Sequence, residues 1–253
     1  MNYFIAVNYN TSYLIEGWAT SIRANSANCK LILIDNHSSD EERASTVSVC
    51  GALSIDLVTS ENVGYGAALN VGMLTILNNH DGGPGFIFAG NLDIEYQYIQ
   101  SSLPDGNFIY VPKVEEAGRH DRNPFLTRVQ RRFVWTYKFA ARYDSVLLYF
   151  LAVGINKLLG FIPSKIWAIH GSLFCFNLKN ISLECLPFDS RSFLYGEELE
   201  FASFMEAQDA EFIGADITVK HISHVATKAI TKKQKDFISL WAPSYINWYK
   251  KWH

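Results

Sequence analysis

Residues 86–95 read FIFAGNLDIE, and the fold turns on how that stretch is read. The first four residues suit a strand covered on both faces, because such strands are written as continuous apolar runs. The run then meets Gly90, Asn91, Leu92 and Asp93 with no gradual change of polarity. In an open α/β sheet, ligands bind just beyond the carboxyl ends of the strands. A carboxylate at that position either caps the following turn or helix or faces a ligand. The rest of the chain bears on that choice.

Outward from this stretch, the first ninety residues alternate regularly. Segments 4–7, 30–34, 55–58 and 86–89 read as strands, and 12–24, 41–49 and 67–77 as helices. Strands alternating with helices predict βαβ units and a mainly parallel sheet with right-handed crossovers. The run Gly82-Gly83-Pro84-Gly85 punctuates the last connection before the 86–89 strand. A fifth strand is expected at 108–111. Residues 119–162 read as one or two helices rich in Arg and aromatic residues. A strand then resumes at 166–176, a helix starts near Gly196, and 217–221 alternates like a strand. A Lys- and Trp-rich tail over 228–253 finishes the chain.

At 253 residues and 49% hydrophobic content, the chain is long enough for one large domain, or a domain with an appended subdomain. Cys29, Cys50, Cys175 and Cys185 show neither metal-type nor CxxC spacing, which suits a reducing compartment rather than a disulfide framework. MNYFIAVNYN reads as a first strand and not as a signal peptide. The most apolar stretch, VLLYFLAVGI at 146–155, is too short for a membrane span, which needs about 20 apolar residues. The net charge of −3 hides two basic segments. Residues 119–142 hold seven basic side chains against Asp121, and residues 228–253 hold six against Asp236. Such asymmetry predicts either an anionic partner surface or two solvated helix faces.

Polar residues stand at the ends of the early strands: Asn8 and Asn10 after the first, and Asp35 after the second. An acid at the end of a second strand can accept hydrogen bonds from a ribose or a base. The first turn, VNYNTS, has no Gly, so the dinucleotide fingerprint is absent. In ENVGYGAALNVG (61–72), Gly64 and Gly66 precede a helix whose N-terminus favours phosphate.

Taken in order, VNYN, LIDNHSSD, NVGYGAALNVG, AGNLD, HGSLF, YGEELEF and VKHISH resemble the successive motifs of glycosyltransferase family 2, most of all its bacterial rhamnosyltransferase-like branch. The resemblance covers about 1–95 and 166–224 and lies in the order and spacing of the motifs. It implies a GT-A, Rossmann-like fold. A GT-A domain over 1–227 would comprise a nucleotide-binding half (1–95), a helical insertion (119–162) and an acceptor half (166–227), with the tail outside it. It also implies inverting transfer from a nucleotide-diphosphate sugar, dTDP-rhamnose or a UDP-hexose, to a lipid-linked oligosaccharide acceptor in bacterial surface polysaccharide synthesis.

By that resemblance Asp93 ends the DxD-type motif and would help hold Mg²⁺ or Mn²⁺ on the diphosphate, with Asn91 in place of its first Asp. His221 is the expected further metal ligand and His224 the alternative. Asn8, Asn10, Asp35, Asn62, Gly64, Asn70, Asn91, His170 and Gly171 would shape the nucleotide-sugar site. Glu197 would meet the acceptor. Glu198, where the family usually has Asp, would be the general base. The basic, aromatic stretches RRFVWTYKF (131–139) and WAPSYINWYKKWH (241–253) predict docking on the anionic inner face of the plasma membrane from the cytoplasm, and nothing favours nucleic acid. A non-catalytic nucleotide- or glycan-binding relative stays open. A sugar-phosphate nucleotidyltransferase stays open as well, although VNYNTS lacks the Gly-rich loop it should carry.

Overall fold

The computed structural model describes residues 1–116, 121–222 and 234–253. One sheet of eight strands organises them, and its parallel half comes from the predicted βαβ run. In chain order this half contains β1 (Asn2–Asn8), α1 (Ile15–Asn25), β2 (Cys29–Asn36), α2 (Asp40–Ala52), β3 (Asp56–Ser60), α3 (Tyr65–Asn79) and β4 (Phe86–Asn91). The second half adds β5 (Ile94–Ile99), β6 (Phe108–Glu116), β9 (Leu173–Asn177), α7 (Glu197–Ala207) and β10 (Glu211–His221). The strand order is β3-β2-β1-β4-β9-β6-β10-β5. Strands β3, β2, β1 and β4 are mutually parallel, and β9 runs antiparallel to both β4 and β6.

The period-two alternation of strands divides the core between the two faces of this sheet. Phe4, Ala6, Leu31 and Leu33 pack under Ile15, Trp18 and Ile22 of α1. Ile5, Ile32 and Ile34 face the other way, onto Leu69 and Met73 of α3 and Phe201 and Met205 of α7. Helices therefore cover both faces, as a parallel sheet requires. From β1 the chain order runs outward in one direction to β2 and β3 and in the other to β4. The resulting crevice lies at the carboxyl ends of β1 and β4, where open α/β sheets bind ligands.

A third cluster lies beside the sheet. It is built from β7 (Leu126–Thr127), α4 (Arg128–Arg131), α5 (Tyr137–Arg142), α6 (Val146–Leu159), β8 (Ile166–Ala168) and the C-terminal helix α8 (Gln234–Trp252). Trp241, Tyr245 and Trp248 of α8 are buried there among Ala140, Trp167 and Ala202. The Tyr245 hydroxyl donates to the Val134 carbonyl at 2.7 Å, and the Trp248 indole donates to Ser203 Oγ at 2.9 Å. The expectation of a tail docking through its aromatic residues is corrected for these three. They are core residues, because aromatic rings at helical spacing on a long amphipathic helix bury more apolar area against α5 and α7 than water permits.

Three element boundaries also differ from expectation. The single strand expected at 166–176 is two, with a turn at His170–Gly171–Ser172; β8 pairs with β7 in a separate small sheet, while β9 enters the main one. Strand β5 follows Asp93 directly and was not anticipated. Strand β10 starts at Glu211, and its register shifts between Gly214 and Thr218.

Candidate functional site

A cavity of about 420 Å³ opens at the crevice. From β1 and the loop after it come Val7, Tyr9 and Thr11; from the end of β2, Asn36; from the loop before α3, Asn62 and Gly64, followed by Tyr65. The β4–β5 turn supplies Asn91, Leu92 and Asp93, and the turn before β9 supplies His170, Gly171 and Ser172. The start of α7 contributes Glu197 and Glu198, and the end of β10 contributes His221. Nine of the residues singled out from the sequence therefore share one cavity: Asn62, Gly64, Asn91, Asp93, His170, Gly171, Glu197, Glu198 and His221.

The other four stand outside its lining. Asn8 is fully buried, and its amide donates to Asp35 Oδ1 at 3.2 Å, to Ser38 Oγ at 3.2 Å and to Thr46 Oγ1 at 3.0 Å. Asp35 is also fully buried and pairs with Arg43 Nε at 3.4 Å. Asn10 accepts the Ser39 N–H at 2.9 Å in a left-handed backbone conformation (φ 57°). Asn70 donates to the Phe188 carbonyl at 2.7 Å, and so ties α3 to the loop that precedes α7. None of these four side chains lines the cavity; they hold the loops that do.

The glycine ahead of Asp93 has a steric reason. A Cβ on Gly90 would sit 2.3 Å from the Ser172 carbonyl oxygen, so only glycine lets β9 lie against the end of β4. The Asn91 N–H then donates to that same carbonyl at 2.9 Å. Gly64 meets the same limit, with φ +89° and a virtual Cβ 2.3 Å from the Phe193 carbonyl oxygen, which accepts the Tyr65 N–H at 3.1 Å. The loop carrying Phe193 is held in turn by the buried Glu200, which accepts from Ser192 Oγ at 2.6 Å and from the Asp189 N–H.

Asp93 and His221 are 128 positions apart and meet because β10 lies antiparallel to β5. Asp93 Oδ1 is 3.2 Å from His221 Nε2, and both side chains are more than nine-tenths buried. Asn91 Nδ2 also approaches Nε2, at 3.3 Å, while Nδ1 faces Glu116 Oε1 at 3.8 Å. A carboxylate oxygen and an imidazole nitrogen this close repel unless a proton or a cation lies between them. Among the described residues, no group of three or more His, Cys, Asp or Glu side chains is arranged to hold a metal. The Asp93–His221 pair nonetheless fits Mg²⁺ or Mn²⁺, since such ions usually take one or two protein ligands and fill the remaining positions with water and substrate phosphate. His224 lies outside the described residues.

Behind the pair, Arg122 bridges Glu116 Oε2 at 3.1 Å and His170 Nε2 at 3.5 Å. His170 Nδ1 lies 2.8 Å from Ser172 Oγ, and its ring centroid is 6.0 Å from that of His221. The turn before β9 is thus joined electrostatically to the end of β10.

The left-handed pair Tyr195 (φ 67°) and Gly196 (φ 99°) turns the chain into α7, whose first two residues, Glu197 and Glu198, both line the cavity. Their environments differ. Burial, reinforced by the neighbouring Glu198 charge, pushes Glu197 up to about 8. Burial raises Glu198 too, but its own backbone N–H, the Gly171 N–H and the Arg122 charge all favour its ionised form. The Gly171 N–H donates to Glu198 Oε1 at 3.3 Å, and a Cβ on Gly171 would stand 2.6 Å from that oxygen. Two carboxyls with separated environments can divide the roles of proton donor and proton acceptor. Tyr65 completes the wall; burial first, then the charges of Glu197, Asp93 and Glu198, keep its phenol neutral. Neither Tyr65 nor Tyr195 was singled out from the sequence. Their only mark is adjacency to Gly64 and Gly196.

The raised Glu197 has a consequence for stability. Its carboxyl titrates near 4.5 in the unfolded chain and near 8 in the folded one, so between those values the folded state binds the extra proton. Stability then falls as pH rises, by about 1.4 kcal/mol per pH unit for one such group. Urea unfolding between pH 5 and pH 8 is expected to show this decline, and Glu197→Gln is expected to flatten it. A wild-type profile as flat as that of the variant would contradict the assignment.

No protein-family model and no curated protein matches the chain. Among solved structures it is similar to M. tuberculosis glucosyl-3-phosphoglycerate synthase, with a TM-score of 0.53 and 14% identity over 99% of this chain and 80% of that one. It is similar to S. aureus TarS 1-349 in complex with UDP-GlcNAc, with a TM-score of 0.52 and 12% identity over 94% and 64%. It is also similar to mannosyltransferase PcManGT from Pyrobaculum calidifontis in complex with GDP-Man and Mn²⁺, with a TM-score of 0.51 and 15% identity over 97% and 69%. The chain spans 36% of the longer TarS chain and 60 to 64% of its 1-349 form. At these identities the likeness shows the fold, which is of the GT-A, Rossmann-like type.

Proposed function

We propose that the chain is an inverting glycosyltransferase of the family 2 kind, in its rhamnosyltransferase-like branch. It would move a sugar from a nucleotide-diphosphate donor, dTDP-rhamnose or a UDP-hexose, to a lipid-linked glycan acceptor. One observation carries this reading: a single cavity is lined both by the Asp93–His221 pair and by Glu197 and Glu198 at the start of α7. The ligands of two structural neighbours, UDP-GlcNAc in one and GDP-Man with Mn²⁺ in the other, belong to the same donor class.

In this reading Asp93 and His221 would hold a divalent cation, which would supply positive charge against the departing diphosphate. Asn36 and Asn62 face the donor; the Asn36 amide donates to Asn62 Oδ1 at 3.1 Å, so the two move together. Glu198 accepts the proton of the acceptor hydroxyl as its oxygen attacks the anomeric carbon. The bond from that carbon to the diphosphate oxygen breaks on the opposite face, and the configuration inverts. Glu197, protonated at neutral pH, is a hydrogen-bond donor to the acceptor. Tyr65 and Leu92 exclude water from the reacting atoms.

A donor panel tests the reading. A nucleotide sugar that binds only the folded chain stabilises it by about 2.7 kcal/mol at one hundred times its dissociation constant. With Mn²⁺ present, one donor is expected to raise the melting temperature by several degrees and to release its nucleotide only when acceptor is added. If no nucleotide sugar shifts the melt, the reading is wrong; a shift with no turnover on any acceptor would leave a binding protein instead.

A further inference from the structure

Helix α6 is built inside out for a soluble surface. Its 14 residues expose Leu147, Phe150, Leu151, Ile155 and Leu158, at 42 to 70% of full accessibility, and Phe161 and Ile162 extend the row at 84% and 47%. The spacing follows the three-and-four rhythm of one helix face. The opposite face is the packed one. Ala152 and Asn156 are buried, and Tyr149 stacks edge-on against Phe237 and Trp241 of α8. Such a contiguous apolar surface marks an interaction site.

The charge around the stripe identifies what it fits. Between residues 128 and 165 the chain holds seven basic side chains and a single acid, Asp144. Arg128 and Arg131 are engaged by Glu206. Arg132, Lys138, Arg142, Lys157 and Lys165 are exposed, with no ion pair among the described residues. Lys157 lies on α6 itself, and Lys138 and Arg142 lie on α5, which packs against it. Trp135, Phe139 and Tyr143 are exposed at 47 to 64% on the same segment. Exposed aromatic rings and cations bordering an apolar helix suit the headgroup level of a bilayer. Protein interface cores, by contrast, are depleted in Lys. At 14 residues α6 is about 21 Å long, short of the hydrocarbon thickness, and no helix among the described residues is long and apolar enough to cross a membrane.

We propose that the outer face of α6, with the cations of α5 and α6 around it, docks the protein on an anionic phospholipid bilayer, with the helix lying in the interface. The inner face of the same helix is joined to the site through packed rings: Tyr149 lies edge-on to Phe237, whose ring centroid is 4.7 Å from that of Tyr195, a residue lining the cavity. Docking through α6 therefore sets the cavity wall at Tyr195 on the side of the protein that meets the lipid. This deepens the reading of a lipid-linked acceptor and rests on it only for its purpose; the docking itself is measured without any substrate.

The test is co-sedimentation of the full chain with vesicles of phosphatidylcholine alone or with about one third phosphatidylglycerol, at low and high salt. Binding is expected with the anionic vesicles, sensitive to salt, and much weaker with the neutral ones. Leu151→Glu with Leu158→Glu is expected to lower the partition coefficient at least roughly tenfold, and Arg142→Glu with Lys157→Glu to lower it on anionic vesicles only. Leu183→Glu, an exposed apolar position outside the segment, should leave it unchanged. Unaltered thermal melts and nucleotide binding in the variants separate docking from folding and from the donor site. Equal binding to both vesicle types, unchanged binding by the Leu variants, or a wild-type dimer that these variants render monomeric would each overturn the proposal. The last outcome would mean that a second copy covers the face.

Discussion

Glu198→Gln is expected to lose sugar transfer by about 100- to 10,000-fold, the usual worth of a general base, while donor affinity stays at the wild-type level. The amide keeps the shape of the side chain and can still meet the Gly171 N–H, which lies 3.3 Å from Glu198 Oε1, but it cannot take a proton. Glu197→Gln is the decisive comparison. With its carboxyl pushed up to about 8, Glu197 is already largely protonated at neutral pH, so the amide is close to what is there. Its transfer rate should fall far less. The divergence follows from the surroundings. Burial raises both carboxyls; at Glu198 the Arg122 charge and two backbone N–H groups oppose it, whereas at Glu197 the charges of Glu198 and Glu200 add to it. Rate measurements with donor affinity determined separately decide the matter. Loss confined to Glu197→Gln would move the base by one position, and loss in neither would place it elsewhere.

The use of Glu where the resembled family usually has Asp also becomes physical in this geometry. The extra methylene shifts the carboxylate by about one bond length, and errors of that order can cost about 100-fold in rate. Here the facing turn leaves room. Gly171 has no Cβ, and one would stand 2.6 Å from Glu198 Oε1. The longer side chain fits because its neighbour is the shortest.

How much of this was legible in the chain can be judged from individual residues. The strand at 86–89 and its glycine were readable because burial on both faces leaves a continuous apolar run, and the close approach of β9 then demands Gly90. The pairing of Asp93 with His221 was not readable from spacing. It depends on β5 joining β10, and the alternation of IEYQYI (94–99) does not say which strand it pairs with. Asp35 is a different case. A carboxylate at the end of β2 has the ligand-facing position in many sheets, but here Asn8 and Arg43 satisfy it from behind, and Asn36, one residue on, faces the cavity instead. The tail misled through composition, since basic residues between tryptophans suit a membrane surface and an amphipathic core helix equally well. Only packing against Trp167 and Ser203 separates the two. The apolar face of α6 shows the converse: a run that reads as core in sequence stands exposed in the fold.

Asp93→Ala and Asp93→Asn are both expected to abolish transfer, by roughly a thousandfold or more, the scale on which a metal's charge stabilisation of a leaving group operates. The Asn variant is the sharper of the two. It preserves volume and hydrogen bonding at a side chain only 9% exposed, so a loss there reports the missing negative charge rather than a cavity. That charge is what would hold a cation against His221 Nε2, 3.2 Å away. A second readout separates this from damage to the fold. Mn²⁺ together with a nucleoside diphosphate should raise the wild-type melting temperature more than either alone, and the coupling should vanish in Asp93→Asn. His221→Ala should weaken that coupling without removing it, because one carboxylate with water and phosphate oxygens still suits a hard divalent ion. EDTA should reproduce the Asp93→Asn phenotype in the wild-type protein. If turnover survives EDTA undiminished, the Asp93–His221 contact is a proton-bridged pair that braces β5 against β10, and the metal role assigned to it is wrong.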